Sequence, residues 1–198
     1  MMQQYGITVP TIPIIPNPCP IEEIQTKANE RVDLPDYPFI LHVGRLTYQK
    51  NQELLIKAYA ESHIEEKLII IGDGQEAAKL HALTKKLGID EKVVFLGQKE
   101  NPYPWMKHAK LFVLTSRFEG FGLVNVESLA CGTPVVAGDC PGGLHDIFIG
   151  ELREYIVAPS ATAIARKIRY TLKNPIVIKP EWYERFDTKK VAEQFLSL

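Results

Sequence analysis

Leu111-Phe112-Val113-Leu114-Thr115-Ser116-Arg117-Phe118-Glu119-Gly120-Phe121-Gly122-Leu123-Val124-Asn125-Val126-Glu127 passes from an apolar run, through a turn with two glycines, into a second apolar-rich stretch. Leu111 to Leu114 are apolar without alternation, the pattern of a strand buried on both faces. The stretch after Gly122 reads as a helix ending near Cys131-Gly132. Gly120 and Gly122 permit a tight turn and let backbone N–H groups face a ligand at the helix start. A strand, a glycine turn and a helix form one repeat of an α/β sheet.

The same alternation extends both ways. Upstream, strands are predicted at Phe39 to Val43, Lys67 to Ile71 and Val93 to Leu96. Helices are predicted over Gln52 to Glu61 with Asn51 as N-cap, over Gln75 to Leu87 stopped by Gly88, and near Tyr103 to His108. Downstream, Pro134 to Ala137 and Glu154 to Val157 read as strands and Ala161 to Lys173 as a helix. The prediction is an α/β fold: a doubly wound, Rossmann-like parallel sheet of about six strands with helices on both faces, right-handed at its crossovers. Prolines between residues 8 and 20 forbid a helix there, so residues 1–20 read as a lead-in segment, with Ile12 to Ile15 as a short edge strand. Residues 21–178 form the main domain. Residues 179–198 form a helical tail of two short helices, with Val191, Phe195 and Leu196 as an apolar stripe.

Composition narrows the function classes. The 198 residues carry a formal net charge of -1, so no global basic field favours nucleic acid. Cys19, Cys131 and Cys140 make no CxxC pair and read as reduced thiols, which fits a cytoplasmic protein. No apolar run approaches the ~20 residues that span a bilayer, and no secretory leader is evident, which leaves room for peripheral membrane contact.

In doubly wound sheets ligands bind beyond the carboxyl ends of the strands. After Val43 come Gly44, Arg45 and Lys50, a turn with two cations beside the next helix start, where an anion such as a diphosphate is favoured. Taken singly, each of those cations reads better as a solvated loop charge. After Leu96 come Gly97, Gln98 and Lys99, which could offer backbone groups to a base but read locally as an ordinary strand-to-loop turn. Glu119 stands just before Gly120-Phe121-Gly122-Leu123, where it suits sugar hydroxyls better than an anion. Glu127 lies in the following helix, and a carboxylate can accept both hydroxyls of a ribose. Asp139 to Gly143 is another tight glycine turn bordering the same cleft. His42 falls in a buried strand and reads as a core residue with a satisfied nitrogen.

In this order, these pieces resemble the C-terminal domain of the retaining GT-B glycosyltransferases of family 4, the glycosyl transferases group 1. The pieces are Ile15-Pro16-Asn17-Pro18, Val43-Gly44-Arg45-Leu46 with Lys50, Gly72-Asp73-Gly74, Val93 to Gly97, Ser116 to Gly122 with Glu127 at the E-x7-E spacing, and Gly132 to Ala137. The resemblance implies one half of a GT-B enzyme. In it Arg45 and Lys50 hold a donor diphosphate, and Glu119 is the catalytic residue at the transferred sugar. Glu127 holds the ribose, the Gly120 to Leu123 backbone meets sugar or phosphate, and the loop after Gly97 meets the base. It implies a nucleoside-diphosphate sugar, by analogy UDP-linked, and no cofactor. It also implies a glycan or lipid-linked acceptor, as in bacterial envelope polysaccharide or lipopolysaccharide synthesis. No Asp-x-Asp occurs, so no metal is expected.

The resemblance begins at the second domain of a two-domain enzyme. Met1 to Ile7 then reads as the end of the helix before the linker. On that resemblance the chain is expected to be an excised piece, the product of a truncated reading frame or one half of a split enzyme, and to be inactive or weakly active without the first domain. Two other readings stand beside it: a nucleotide-binding module without turnover, and a dinucleotide domain built on Gly72-Asp73-Gly74-Gln75-Glu76-Ala77, which satisfies G-x-G-x-x-A but follows the second strand, has no ribose-binding acid at the tip of the next one, and so reads as a turn feeding a helix.

Overall fold

A computed structural model describes residues 15–197. Its six strands are β1 (Phe39–Val43), β2 (Lys67–Ile71), β3 (Val93–Phe95), β4 (Leu111–Leu114), β5 (Val135–Gly138) and β6 (Ile156–Val157). The helices are α1 (Ile21–Lys27), α2 (Gln52–Ser62), α3 (Ala77–Lys86), α4 (Tyr103–His108), α5 (Leu123–Ala130), α6 (Leu144–Ile147), α7 (Ala161–Lys173) and α8 (Thr188–Leu196). All strand pairs are parallel, in the order β3-β2-β1-β4-β5-β6. Leu41 pairs with Ile69 on one side and Phe112 on the other. The helices touch in two sets, α2 with α3 and α7, and α1 with α4 and α5, as a sheet covered on both faces requires.

The unalternated apolar runs are what the sheet needs. Ile40, Leu41, Leu68, Ile69, Ile70, Leu111 to Leu114 and Val135 to Ala137 are wholly buried. Each large side chain among them contributes roughly 1.5–3 kcal/mol when removed from water. Helix α7 buries Ile164, Ala165, Ile168 and Thr171 on one stripe, and the Ser160 hydroxyl caps it by accepting from the Ala163 N–H. Gly88 ends α3 with φ +67, a left-handed turn that glycine adopts without strain.

Several expectations need correction. Asn51 occupies the N-cap position of α2, but its side chain makes no capping bond. Its backbone is left-handed (φ 51), a conformation Asn tolerates better than most residues. Glu154 and Tyr155 are not in a strand. Residues Gly150–Tyr155 wind as a 3-10 helix, which puts Leu152 and Tyr155, three apart, on one buried face. The lead-in gives way at Pro20 to α1, where Ile21 and Ile24 are buried, and α6 is a further helix absent from the sequence reading. The supposed edge strand at residues 12–15 lies almost wholly outside the described residues, as does the supposed helix end at Met1 to Ile7.

The tail folds as two 3-10 turns, Pro180–Trp182 and Glu184–Phe186, followed by α8. Trp182 and Phe186 are buried, and the Cys19 N–H donates to the Phe186 carbonyl at 2.7 Å. Of the expected apolar stripe only Val191 packs; Phe195 and Leu196 are 67% and 84% exposed.

Candidate functional site

Strands β1 and β4 are neighbours, and their crossovers leave in opposite directions along the sheet. A crevice forms where this reversal occurs, outside the carboxyl ends of both strands. The loop Gly44 to Asn51 forms one wall and Thr115 to Gly122 the other. The walls are tied together. The Arg117 N–H donates to the Gln49 carbonyl at 2.8 Å, the Gln49 amide to the Phe118 carbonyl at 3.1 Å, and the Thr115 hydroxyl to the Asn51 carbonyl at 3.1 Å.

At the centre the Lys50 ammonium lies 2.6 Å from Glu119 Oε1. The Ser116 hydroxyl donates to the same oxygen, also at 2.6 Å. Glu119 is 7% exposed, so the ion pair is shielded from water and from salt. Lys50 is therefore not a free loop cation but the partner of the glutamate across the crevice. Ser116 has no assigned role in the sequence reading; its position three residues before Glu119 was the available signal.

The backbone of Glu119 is held by the loop after β5. The Glu119 N–H donates to the Pro141 carbonyl at 3.0 Å, and the Gly143 N–H to the Gly120 carbonyl at 3.0 Å. A Cβ on Gly142 would lie 1.6 Å from the Glu119 carbonyl oxygen, and one on Gly143 would lie 2.7 Å from the Phe121 ring. The expectation that Asp139 to Gly143 borders the cleft agrees with this arrangement, and both glycines are required by contact. The Phe121 ring packs edge-on against Phe186 of the tail, with centroids 5.5 Å apart.

Gly122 precedes α5 with φ 85, and the Asn125 amide donates to its carbonyl at 2.8 Å. The amides of Leu123 and Val124, the first of α5, have no backbone partner among the described residues. Further along α5, Glu127 is half-buried. Burial raises its carboxyl pKa, opposed by the Lys50 ammonium. Among the described residues no donor reaches that carboxylate. It lies near Tyr103 and Cys131, whose pKa values are pushed up to about 12, first by burial and next by Glu127.

The other predicted positions lie around this centre. Arg45 is exposed, and its guanidinium makes no ion pair among the described residues. Gly97 (φ 65) lies just past β3, two strands from β1, and its carbonyl accepts from the Gly72 N–H at 2.9 Å. Gln98 and Lys99 are exposed there, and Lys99 borders a separate depression with Asp33, Asp36 and Trp105. Gly72 and Gly74 meet the wall after β1. A Cβ would lie 2.0 Å from the Gly44 carbonyl oxygen at Gly72 and 2.4 Å from that of Leu46 at Gly74. Close loop packing thus accounts for that G-x-G without a dinucleotide. His42 is wholly buried, and burial lowers its pKa to about 4, so the ring is neutral. No helix among the described residues is long and apolar enough to cross a membrane.

Known proteins share both the sequence pattern and the fold. The family profile described as glycosyl transferases group 1 matches residues 24–190. A Campylobacter jejuni protein, N-acetylgalactosamine-N,N'-diacetylbacillosaminyl-diphospho-undecaprenol 4-alpha-N-acetylgalactosaminyltransferase, is 42% identical over 148 residues, covering 75% of this chain and 40% of that protein. The lipopolysaccharide 1,6-galactosyltransferase of Salmonella typhimurium is 32% identical over 163 residues, 79% of this chain and 44% of that protein. Among solved structures, the apo lipopolysaccharide outer core galactosyltransferase WaaB superposes with a TM-score of 0.80 at 25% identity, over 99% of this chain and 57% of that one. Anabaena HepE in complex with UDP-glucose gives 0.72 at 26% identity, over 90% and 52%. The chain thus spans less than half the length of these two sequence relatives. A parallel six-stranded sheet in this order, a glutamate-lysine pair at its switch point and a profile match across most of the chain lead to one assignment: the chain belongs to the glycosyl transferases group 1 family.

Proposed function

We propose that this chain is the C-terminal, donor-binding domain of a retaining, metal-independent GT-B glycosyltransferase of family 4. Its donor is a nucleoside-diphosphate sugar, with UDP the favoured carrier. The carrying observation is the Lys50–Glu119 pair at 2.6 Å in the crevice, with the Glu127 carboxylate close by and without a donor. Glu119 addresses the transferred sugar, Lys50 and Arg45 the diphosphate, and Glu127 the ribose hydroxyls. The Gly120 to Leu123 backbone meets the sugar or phosphate. The loop Gly97 to Lys99 meets the base through its backbone, while the Lys99 side chain borders the separate depression.

The chemistry follows from where charge develops. Breaking the anomeric bond leaves negative charge on the nucleoside diphosphate. Two cations and the unpaired amides of Leu123 and Val124 stabilise that charge without reorganising at the moment of reaction. Lys50 can serve the diphosphate only by loosening its hold on Glu119, which frees the carboxylate for the sugar as the phosphates arrive. The relatives' names support an envelope role: one concerns a diphospho-undecaprenol-linked glycan and another lipopolysaccharide. HepE, solved with UDP-glucose, supports the choice of uridine. The acceptor, a glycan or lipid-linked sugar, is placed by a further domain, and the enzyme works in the cytoplasm at the inner membrane face. Without a positioned acceptor this chain binds donor and turns over little.

A thermal-shift panel tests the reading. UDP and a UDP-sugar should raise the midpoint and NAD should not; stabilisation by NAD alone would overturn it. Replacing Glu127→Gln should weaken UDP binding by roughly 1–3 kcal/mol, the scale of lost charge-assisted hydrogen bonds. Unchanged affinity would remove Glu127 from the ribose site.

A further inference from the structure

The wall after β1 rests on two buried polar residues that the proposed chemistry does not use. His42 is wholly buried on β1, and its Nδ1 is 2.9 Å from the Val113 carbonyl on β4. A carbonyl only accepts, so Nδ1 carries the proton and Nε2 is an acceptor. The Gln52 amide nitrogen lies 3.0 Å from that Nε2 and 2.9 Å from the Arg45 carbonyl. Both neighbours are acceptors, so only one amide orientation satisfies both of them. In that orientation Gln52 Oε1 is buried with no partner among the described residues. Leaving a buried oxygen unpaired is costly, and an apolar side chain there would avoid the cost. Gln52 is therefore explained by what its amide holds.

What it holds is the Arg45–Leu46 peptide. The carbonyl accepts from Gln52 and from the Thr47 N–H at 2.9 Å, while the Leu46 N–H donates to the Asp73 carbonyl at 2.9 Å. The peptide plane is thus clamped from both sides. The Gly44 turn sits directly on the imidazole, since a Cβ there would lie 3.3 Å from His42 Nε2. A continuous chain of bonds runs from β4 through His42 and Gln52 to this loop.

We propose that His42 and Gln52 are positioning residues, which set the Gly44–Lys50 loop for a diphosphate by holding the Arg45 carbonyl. The inference rests on the donor-site reading above and adds two residues that touch no substrate. The pair acts on the loop that meets phosphates and leaves the base and ribose contacts alone. Its signature is therefore the preference for UDP over UMP, which isolates the second phosphate.

The test is titration of the chain with UDP and with UMP by calorimetry, for wild type, Gln52→Met and His42→Phe. Met keeps the length of Gln without its donors, and Phe keeps the ring without its nitrogens. Thermal midpoints identify the folded variants, and either variant suffices. The expected result is a roughly tenfold fall in UDP affinity, the scale of one lost hydrogen bond, with UMP affinity within about twofold of wild type. UDP and UMP affinities that fall together would show a general structural role, and unchanged values would show none; either overturns the inference. A wild-type chain that binds UDP no better than UMP removes the diphosphate site itself, and this proposal with it.

Discussion

Glu53 and Glu119 have nearly the same local chemistry and opposite settings. Glu53, in the first turn of α2, is met by Lys57 at 2.6 Å and Lys79 at 2.8 Å. Hydrogen bonds from Lys57 and then Lys79 hold its carboxyl down to about 2. Glu119 is met by Lys50 at 2.6 Å and the Ser116 hydroxyl at 2.6 Å. The side chain of Glu53 is 30% exposed and that of Glu119 is 6% exposed. Water competes for every bond that Glu53 makes, so its ion pairs are weak clamps on a helix surface. Glu119 is shut away from water, with the Lys50 ammonium and the Ser116 hydroxyl as its partners. Equal distances thus describe a surface decoration in one place and a poised site in the other.

Removing the lysine on each side should expose the difference. Replacing Lys50→Met leaves a carboxylate buried without its counter-charge and should cost about 3–5 kcal/mol in chemical denaturation. Adding Glu119→Gln to that variant should recover part of the loss. A loss under 1 kcal/mol would mean the crevice is wetter than the buried Glu119 implies.

A second expected effect comes from beneath the same crevice. His42 is held neutral, with its pKa lowered from 6.5 to about 4 by burial. Unfolding therefore takes up a proton between about pH 6.5 and pH 4, the window between the ring's unfolded and folded pKa values. Stability is fully present above that value and is lost as pH falls towards 4, by about 3 kcal/mol. Denaturation midpoints at pH 7 and pH 4 for wild type and His42→Phe would measure it. An equal acid loss in both proteins would rule out His42 as the source. On the outer surface, Lys57→Ala should change stability by no more than about 0.5 kcal/mol, and less in high salt. A large change there would abolish the contrast between the two glutamates.

Much of the fold was legible because a doubly wound sheet writes itself in uninterrupted apolar runs. Ile40-Leu41 and Leu111 to Leu114 have water on neither face, and their sequences show it. The misreadings occur where apolar spacing serves another geometry. Tyr155 packs inward from a 3-10 turn, although Glu154 to Val157 has the composition of a strand. In α1, prolines on the approach hid a helix that begins just after them. At the site, the residues after β1 and β4 could be named, because glycines and charges following a strand are visible locally. Their partners could not be, since Lys50 and Glu119 are separated by 69 positions along the chain and meet only through the strand order. The bond from Gln52 to His42 was equally hidden, because both residues look ordinary in their own elements.

Gly142 limits how far this scaffold can vary. Any side chain there would displace the Glu119 carbonyl, and the charge pair would move with it. That position admits one amino acid as long as the crevice keeps its shape. At the tip of β3, Gln98 and Lys99 are exposed. Replacements there are free to accumulate. Tolerance to substitution should therefore be uneven along this edge of the sheet, strict at Gly142 and loose at the exposed tip of β3.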